Sequence, residues 1–150
     1  MIRIDFSTTP ESDLPEKRLK NLALHSEADL RYGFFQRAIY LEIGGVKFLD
    51  GGGYALLDFM STLSYTLKEL RDDGKTVIDF SENSGKIFIA RDGEALRFNS
   101  SWGISATCGI IEYPQAVIDF IERGVSDLLS EYPELKDHLT LSKIIRSVAD

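Results

Sequence analysis

Cysteine is almost absent from this chain: Cys108 stands alone among 150 residues. A single thiol can form neither an internal disulfide nor a cysteine-rich zinc site, which fits a reducing compartment. The only histidines, His25 and His138, are far apart and lack carboxylates at ligand spacing, so no metal site is expected. No apolar run approaches the roughly 20 residues that span a bilayer. The N-terminus MIRIDFSTTPESDLPEK lacks the apolar stretch of a secretory signal and is acidic where a signal is basic. The expected location is cytoplasmic, with no membrane partner. Internal repeats, low-complexity tracts and linker-like stretches are also missing. What remains is 43% hydrophobic and 27% charged, enough for one ordinary core and expected to form a single domain over residues 1–150.

Positive charge is in deficit. The formal net charge is −7 with a pI near 4.9, which disfavours direct nucleic-acid binding because phosphate contacts depend on Lys and Arg. The excess acid is localised. Residues 1–49 carry seven basic and seven acidic side chains, 50–84 carry three against seven, and 111–150 carry four against eight. The two acidic stretches are the ones with helical periodicity, so the acid belongs to helices and not to strands.

The apolar pattern alternates in the rest of the chain. Ile2, Ile4 and Phe6 against Arg3 and Asp5 predict a strand. Ser7–Pro15 reads as a loop. Asn21–Phe34 alternates cleanly, as one bent strand or two consecutive ones. Arg37–Ile43 and Val46–Leu49 flank Gly44-Gly45, a hairpin signal because both central positions want positive φ. Asp50-Gly51-Gly52-Gly53 is expected to break the sheet before a helix over Tyr54–Asp72, which Gly74 stops. Thr76–Phe80, Lys86–Arg91 and Glu94–Asn99 follow as strands, the last two joined at Asp92-Gly93. A further strand spans Trp102 to about Glu112, with Trp102, Ile104, Ala106, Cys108 and Ile110 inward. Pro114 is expected to open a helix to Leu129 that buries Val117, Ile118, Ile121, Val125, Leu128 and Leu129. Thr140 or Ser142 caps a short last helix through Val148. The predicted fold is α+β: a mainly antiparallel meander sheet with two long helices and a short C-terminal helix packed on one face.

None of the chemical constellations is complete. The glycines after Asp50 lie where a phosphate loop would, without the Lys and Ser/Thr that such a loop needs. Cys108 with His25 or His138 would make a thiol–base pair, yet Cys108 falls on an apolar strand face and His25 on a polar one. Asp72–Asp73, Asp92–Glu94 and Glu131–Glu134 sit in turns or at helix ends, where solvation explains them better than acid–base work. The expectation is a non-enzyme with no cofactor.

Two surfaces carry more information. Gly103, Ser105, Thr107 and Gly109 form a small-residue strand face that leaves room for a closely packed helix, a ligand or a partner side chain; close helix packing is the leading expectation. Asp119, Glu122, Arg123, Ser126, Asp127 and Ser130 fall on the polar side of the Pro114–Leu129 helix. Such a stripe is either a solvated face or an acidic docking surface for a basic protein.

The stretch IYLEIGGVKFLDGGG, the helix YALLDFMSTLSYTLKEL and the segment GKIFIARDGEALRFNSSW, roughly residues 37–102, resemble small bacterial α+β immunity proteins of polymorphic and contact-dependent toxin systems. The likeness lies in layout: hairpin, long amphipathic helix, hairpin with a polar turn, then Ser-Trp. It implies a protein that blocks a cognate toxin domain, such as a basic nuclease, by binding it. The expected contact residues are Asp119, Glu122 and Asp127, with Asp58 and Glu69 of the other long helix behind them. The alternative is a small ligand-binding or regulatory domain with a pocket beside Trp102, Ser105 and Thr107.

Overall fold

The structure, a computed structural model, describes residues 1–8, 36–80, 85–137 and 139–149. The sequence-predicted strands of Asn21–Phe34, together with His25 and His138, lie outside the described residues. The fold is α+β, with antiparallel sheets, two long helices and a short C-terminal helix. No described helix is long and apolar enough to cross a membrane.

The strands divide into two meanders. The first joins β1 (Ile2–Thr8), β2 (Gln36–Ile43) and β3 (Val46–Ala55) in that order. Gly44 and Gly45 turn the β2–β3 hairpin at φ 56° and 82°, as both central positions of a tight reversal require. The expectation that Asp50–Gly53 ends the sheet is corrected, because β3 runs on to Ala55 and pairs Gly52 with Ile39 and Gly53 with Ala38. Gly51, at φ +96°, is the unpaired residue of a bulge, a place glycine fills at little cost. A second register shift, between Leu41 and Glu42, leaves Phe48 as the extra residue. It lets Phe48 and Leu49, neighbours in sequence, both bury.

Helix α1 (Leu56–Asp73) ends at Gly74, whose left-handed φ of 73° lets its N–H reach the Leu70 carbonyl. The second meander runs β4 (Lys75–Asp79), β5 (Lys86–Asp92), β6 (Ala95–Ser100) and β7 (Ser105–Gly109). Asp92 pairs with Ala95, so the two-residue turn is Gly93-Glu94, one position later than expected. Strand β7 is shorter than expected. It follows a turn in which Trp102 is 43% exposed, not inward. Ala106 and Cys108 do face inward, while Ser105 and Thr107 are exposed, so no helix among the described residues covers the small-residue face.

Helix α2 (Glu112–Glu131) begins two residues before Pro114. Proline fits there because N–H groups of the first turn have no partner inside the helix. A 3-10 turn (Pro133–Asp137) leads to α3 (Leu139–Ala149), which packs on both long helices.

The core is one cluster shared by both meanders and the helices. At its centre is a line of aromatic contacts. Phe6 meets Phe120 edge-on at 5.6 Å, Phe120 meets Phe59 at 5.7 Å, and Phe59, Tyr54, Phe80 and Trp102 follow at 6.2, 5.3 and 6.4 Å. The two long helices touch closely at Gly124, where a Cβ would stand 2.6 Å from Met60 Sδ. They are tied again by a buried hydroxyl pair 2.7 Å apart, Thr66 and Tyr113. Thr66 gives its proton to the Leu63 carbonyl, so Tyr113 donates to Thr66.

Candidate functional site

The polar stripe of α2 is organised by Arg123. Its guanidinium donates from Nε to Asp119 at 2.9 Å, from Nη1 to Asp5 of β1 at 3.1 Å, and from Nη2 to the Ile4 carbonyl at 2.8 Å. One side chain therefore clasps α2 to the outer edge of the first meander. Among the described residues β1 is the edge strand of that meander, so the Ile4 carbonyl has no described strand partner on that side. Sequence reasoning placed Arg123 on the polar stripe, but not in contact with β1.

The stripe stays net negative. Arg123 is shared between two carboxylates, Asp119 remains 67% exposed, and Glu122 and Ser126 are exposed beside it. Asp127 is different. It is half-buried, and its Oδ2 is buried with no hydrogen-bond partner among the described residues. At the end of the helix, Glu131 lies 3.7 Å from Arg37 Nη2. Arg37 is a member of the inward row of β2, with Ile39, Leu41 and Ile43, and its side chain is fully buried. It also donates to the Gln36 carbonyl.

Asp58 and Glu69 do not join this surface. Glu69 accepts the Thr76 hydroxyl at 2.7 Å and so fastens the end of α1 to β4. Asp58 lies in the first turn of α1, where its charge complements the helix dipole, and it borders a narrow seam with Tyr54, Phe59, Ile78 and Phe80. Those two carboxylates border the second meander, whereas Asp119 leans through Arg123 on the first.

Asp5 makes the clasp pH-sensitive. Burial alone would raise its pKa, but the Phe6 N–H and the Arg123 and Arg3 guanidinium groups outweigh that and hold the carboxyl below its ordinary value. Glu112 is lowered too, by the Gly109 N–H first and then by the Met1 ammonium 3.1 Å away. A carboxylate with a depressed folded pKa stabilises above its unfolded value, about 3.9 for Asp, and that contribution is lost as pH falls through the folded pKa. Asp5→Asn should therefore be less stable than wild type at pH 7 and approach it towards pH 2. Urea unfolding at stepped pH measures this, and curves that stay parallel would contradict it.

Cys108 sits in the core as its strand face implied. Burial, and then the Glu112 carboxylate, push its thiol up to about 11, so it stays protonated at neutral pH. Trp102, Ser105 and Thr107 line neither the narrow seam beside Asp58 nor the larger groove beside α1.

The large cavity lies elsewhere. A groove of about 1070 Å³ runs beside α1 from Ser61 to Arg71 and is bounded by the start of α2 and the end of the second meander. Its apolar lining includes Leu67, Leu70, Leu96, Ile110, Pro114 and Ile118. Lys68, Arg71 and Arg91 also line it, near the C-terminal end of α1.

The fold and these surfaces define an α+β protein with an acidic helix stripe and one large open groove. Compared with known proteins, the chain matches no family model, no curated protein and no solved structure.

Proposed function

We propose that the chain is an immunity-type protein that neutralises a cognate bacterial toxin domain by tight stoichiometric binding, with α2's acidic stripe as the contact surface. The observation that carries this reading is the Arg123 clasp. It draws the stripe's one cation towards β1 and leaves Asp119 and Glu122 exposed on a braced helix. A braced helix presents both carboxylates from a fixed backbone, and a negative patch speeds encounter with a basic partner such as a nuclease. A cytoplasmic location and protection of the host cell belong to the same proposal.

The direct test is co-expression with the variable C-terminal domain of a secreted protein encoded immediately upstream. Growth should be restored, and the two chains should co-elute as a stoichiometric complex. Growth arrest despite soluble expression of both chains, with no complex formed, would contradict the proposal. Asp119→Lys with Glu122→Lys should slow association. Because Asp119 belongs to the clasp, Glu122→Lys with Ser126→Lys is the cleaner reversal.

A further inference from the structure

The groove beside α1 has a polarity that the acidic composition of the chain does not foreshadow. The ten-residue step from Ser61 to Arg71 covers about 15 Å at the helical rise. Hydroxyl groups of Ser61 and Ser64 line one end, apolar side chains the middle, and Lys68, Arg71 and Arg91 the other end. Three cations meet there in a chain of net charge −7.

Two carboxylates, Glu69 and Asp79, also line the groove, and each has a partner of its own. Glu69 holds the Thr76 hydroxyl, and Asp79 lies 3.9 Å from Lys86. Among the described residues Arg71 pairs only with its sequence neighbour Asp72, at 3.8 Å and largely exposed. Lys68 and Arg91 have no carboxylate partner among the described residues, and Arg91 makes only a long 3.4 Å side-chain contact to the Gly93 carbonyl. Arg71, in the last turn of α1, offsets the helix dipole. Arg91 comes from β5, and dipole compensation on α1 does not explain it.

We infer that this groove binds a free, single-chain anionic amphiphile, its head on Lys68, Arg71 and Arg91 and its alkyl tail over Leu67, Ile110 and Ile118. The volume is at the upper end of small-ligand sites, and an elongated apolar floor with cations at one end matches a molecule whose charge is also at one end. The site is separate from the acidic stripe and does not depend on the toxin-binding proposal.

The probes are decanoate and 1-decanol, titrated calorimetrically below micelle-forming concentrations at pH 7.5, with far-UV circular dichroism confirming an unchanged fold. Decanoate should bind saturably with one site per chain, at least tenfold tighter than 1-decanol. Lys68→Gln with Arg91→Gln, both solvent-side changes, should lose that tenfold preference while still binding 1-decanol. Ile118→Asp should weaken both probes. Vesicles of anionic phospholipid should not co-sediment the protein, since the site takes a free molecule and not a membrane surface. Absence of saturable decanoate binding, equal affinity for the two probes in the wild type, or an unchanged preference in the Lys68/Arg91 variant would overturn the assignment. So would vesicle binding, or capture of an acidic amphipathic peptide by a groove that does not bind decanoate.

Discussion

Phe120→Ala is expected to destabilise the protein by about 3–5 kcal/mol, the range for removing a buried aromatic ring and leaving part of its volume empty. Phe120 is fully buried and stands edge-on between Phe6 of β1 and Phe59 of α1, so one ring joins the first meander to both long helices. The hole cannot close by moving one neighbour, because each neighbour is itself held. Phe59 packs on Tyr54, and α1 is fixed against α2 at Met60–Gly124 and Thr66–Tyr113. For a chain of this size the loss amounts to a fall in Tm of roughly 6–20 °C. Phe120→Leu, which keeps most of the volume, should cost clearly less. Urea unfolding of the two variants checks the order, and a loss below about 1 kcal/mol for the alanine variant would show that the ring is not central.

Arg37→Ala should be the next most damaging change, at about 3 kcal/mol, whereas Arg37→Met should cost much less. The guanidinium is fully buried on the core face of β2, with Glu131 of α2 3.7 Å away and the Gln36 carbonyl accepting from Nη1. Truncation opens a cavity and removes the charge that faces Glu131. Methionine fills similar space without a charge to desolvate, and the Glu131 carboxylate it leaves behind is 35% exposed and can be rehydrated, which limits the cost of losing one member of the pair. The figure for alanine is set at the low end for breaking a buried pair because the Glu131 side chain is 35% exposed and regains water. If both variants lose the same stability, the role of Arg37 is electrostatic and not one of packing.

The same two residues show how far the sequence could be read. Periodicity placed the described strands and both long helices, because alternating strands and three-to-four helical spacing follow directly from which faces bury. It also contained Arg37, the first member of the row Arg37, Ile39, Leu41 and Ile43, but a charged residue in such a row looks like a strand end until its carboxylate partner is seen. Phe120 lies between Val117 and Ile121 at helical spacing. A stripe drawn narrowly omits it, yet α2 is covered on two sides, by α1 and by β1, so its buried face is wider.

The glycine run after Asp50 misled for a local reason. Consecutive glycines usually end pairing, but here Gly51 absorbs a bulge and lets the strand resume with Gly52 and Gly53 in register. The stripe on α2 was legible as a stripe. The clasp was not, because it needs residues more than a hundred positions apart, and neither Asp5 nor Ile4 signals the helix it will meet. The groove was the least legible feature. Its three cations come from α1 and β5, and only the fold brings them to one end of an apolar channel.

Acid on the helices was the first distinctive feature of the chain, and the structure gives it a mechanical form. Arg123 ties the stripe to β1, Glu69 is used internally on β4, and Asp119 with Glu122 is left facing solvent. The most direct measurement is the association kinetics of the purified chain with its cognate toxin domain over a series of salt concentrations. Wild-type association should be fast and should slow steeply with salt, as steering between opposite charges requires. Glu122→Lys with Ser126→Lys should associate at least tenfold more slowly at low salt and show a flatter dependence. Equal rates and equal salt dependence for the two proteins would contradict the claim that α2's acidic stripe is the surface with which this chain binds.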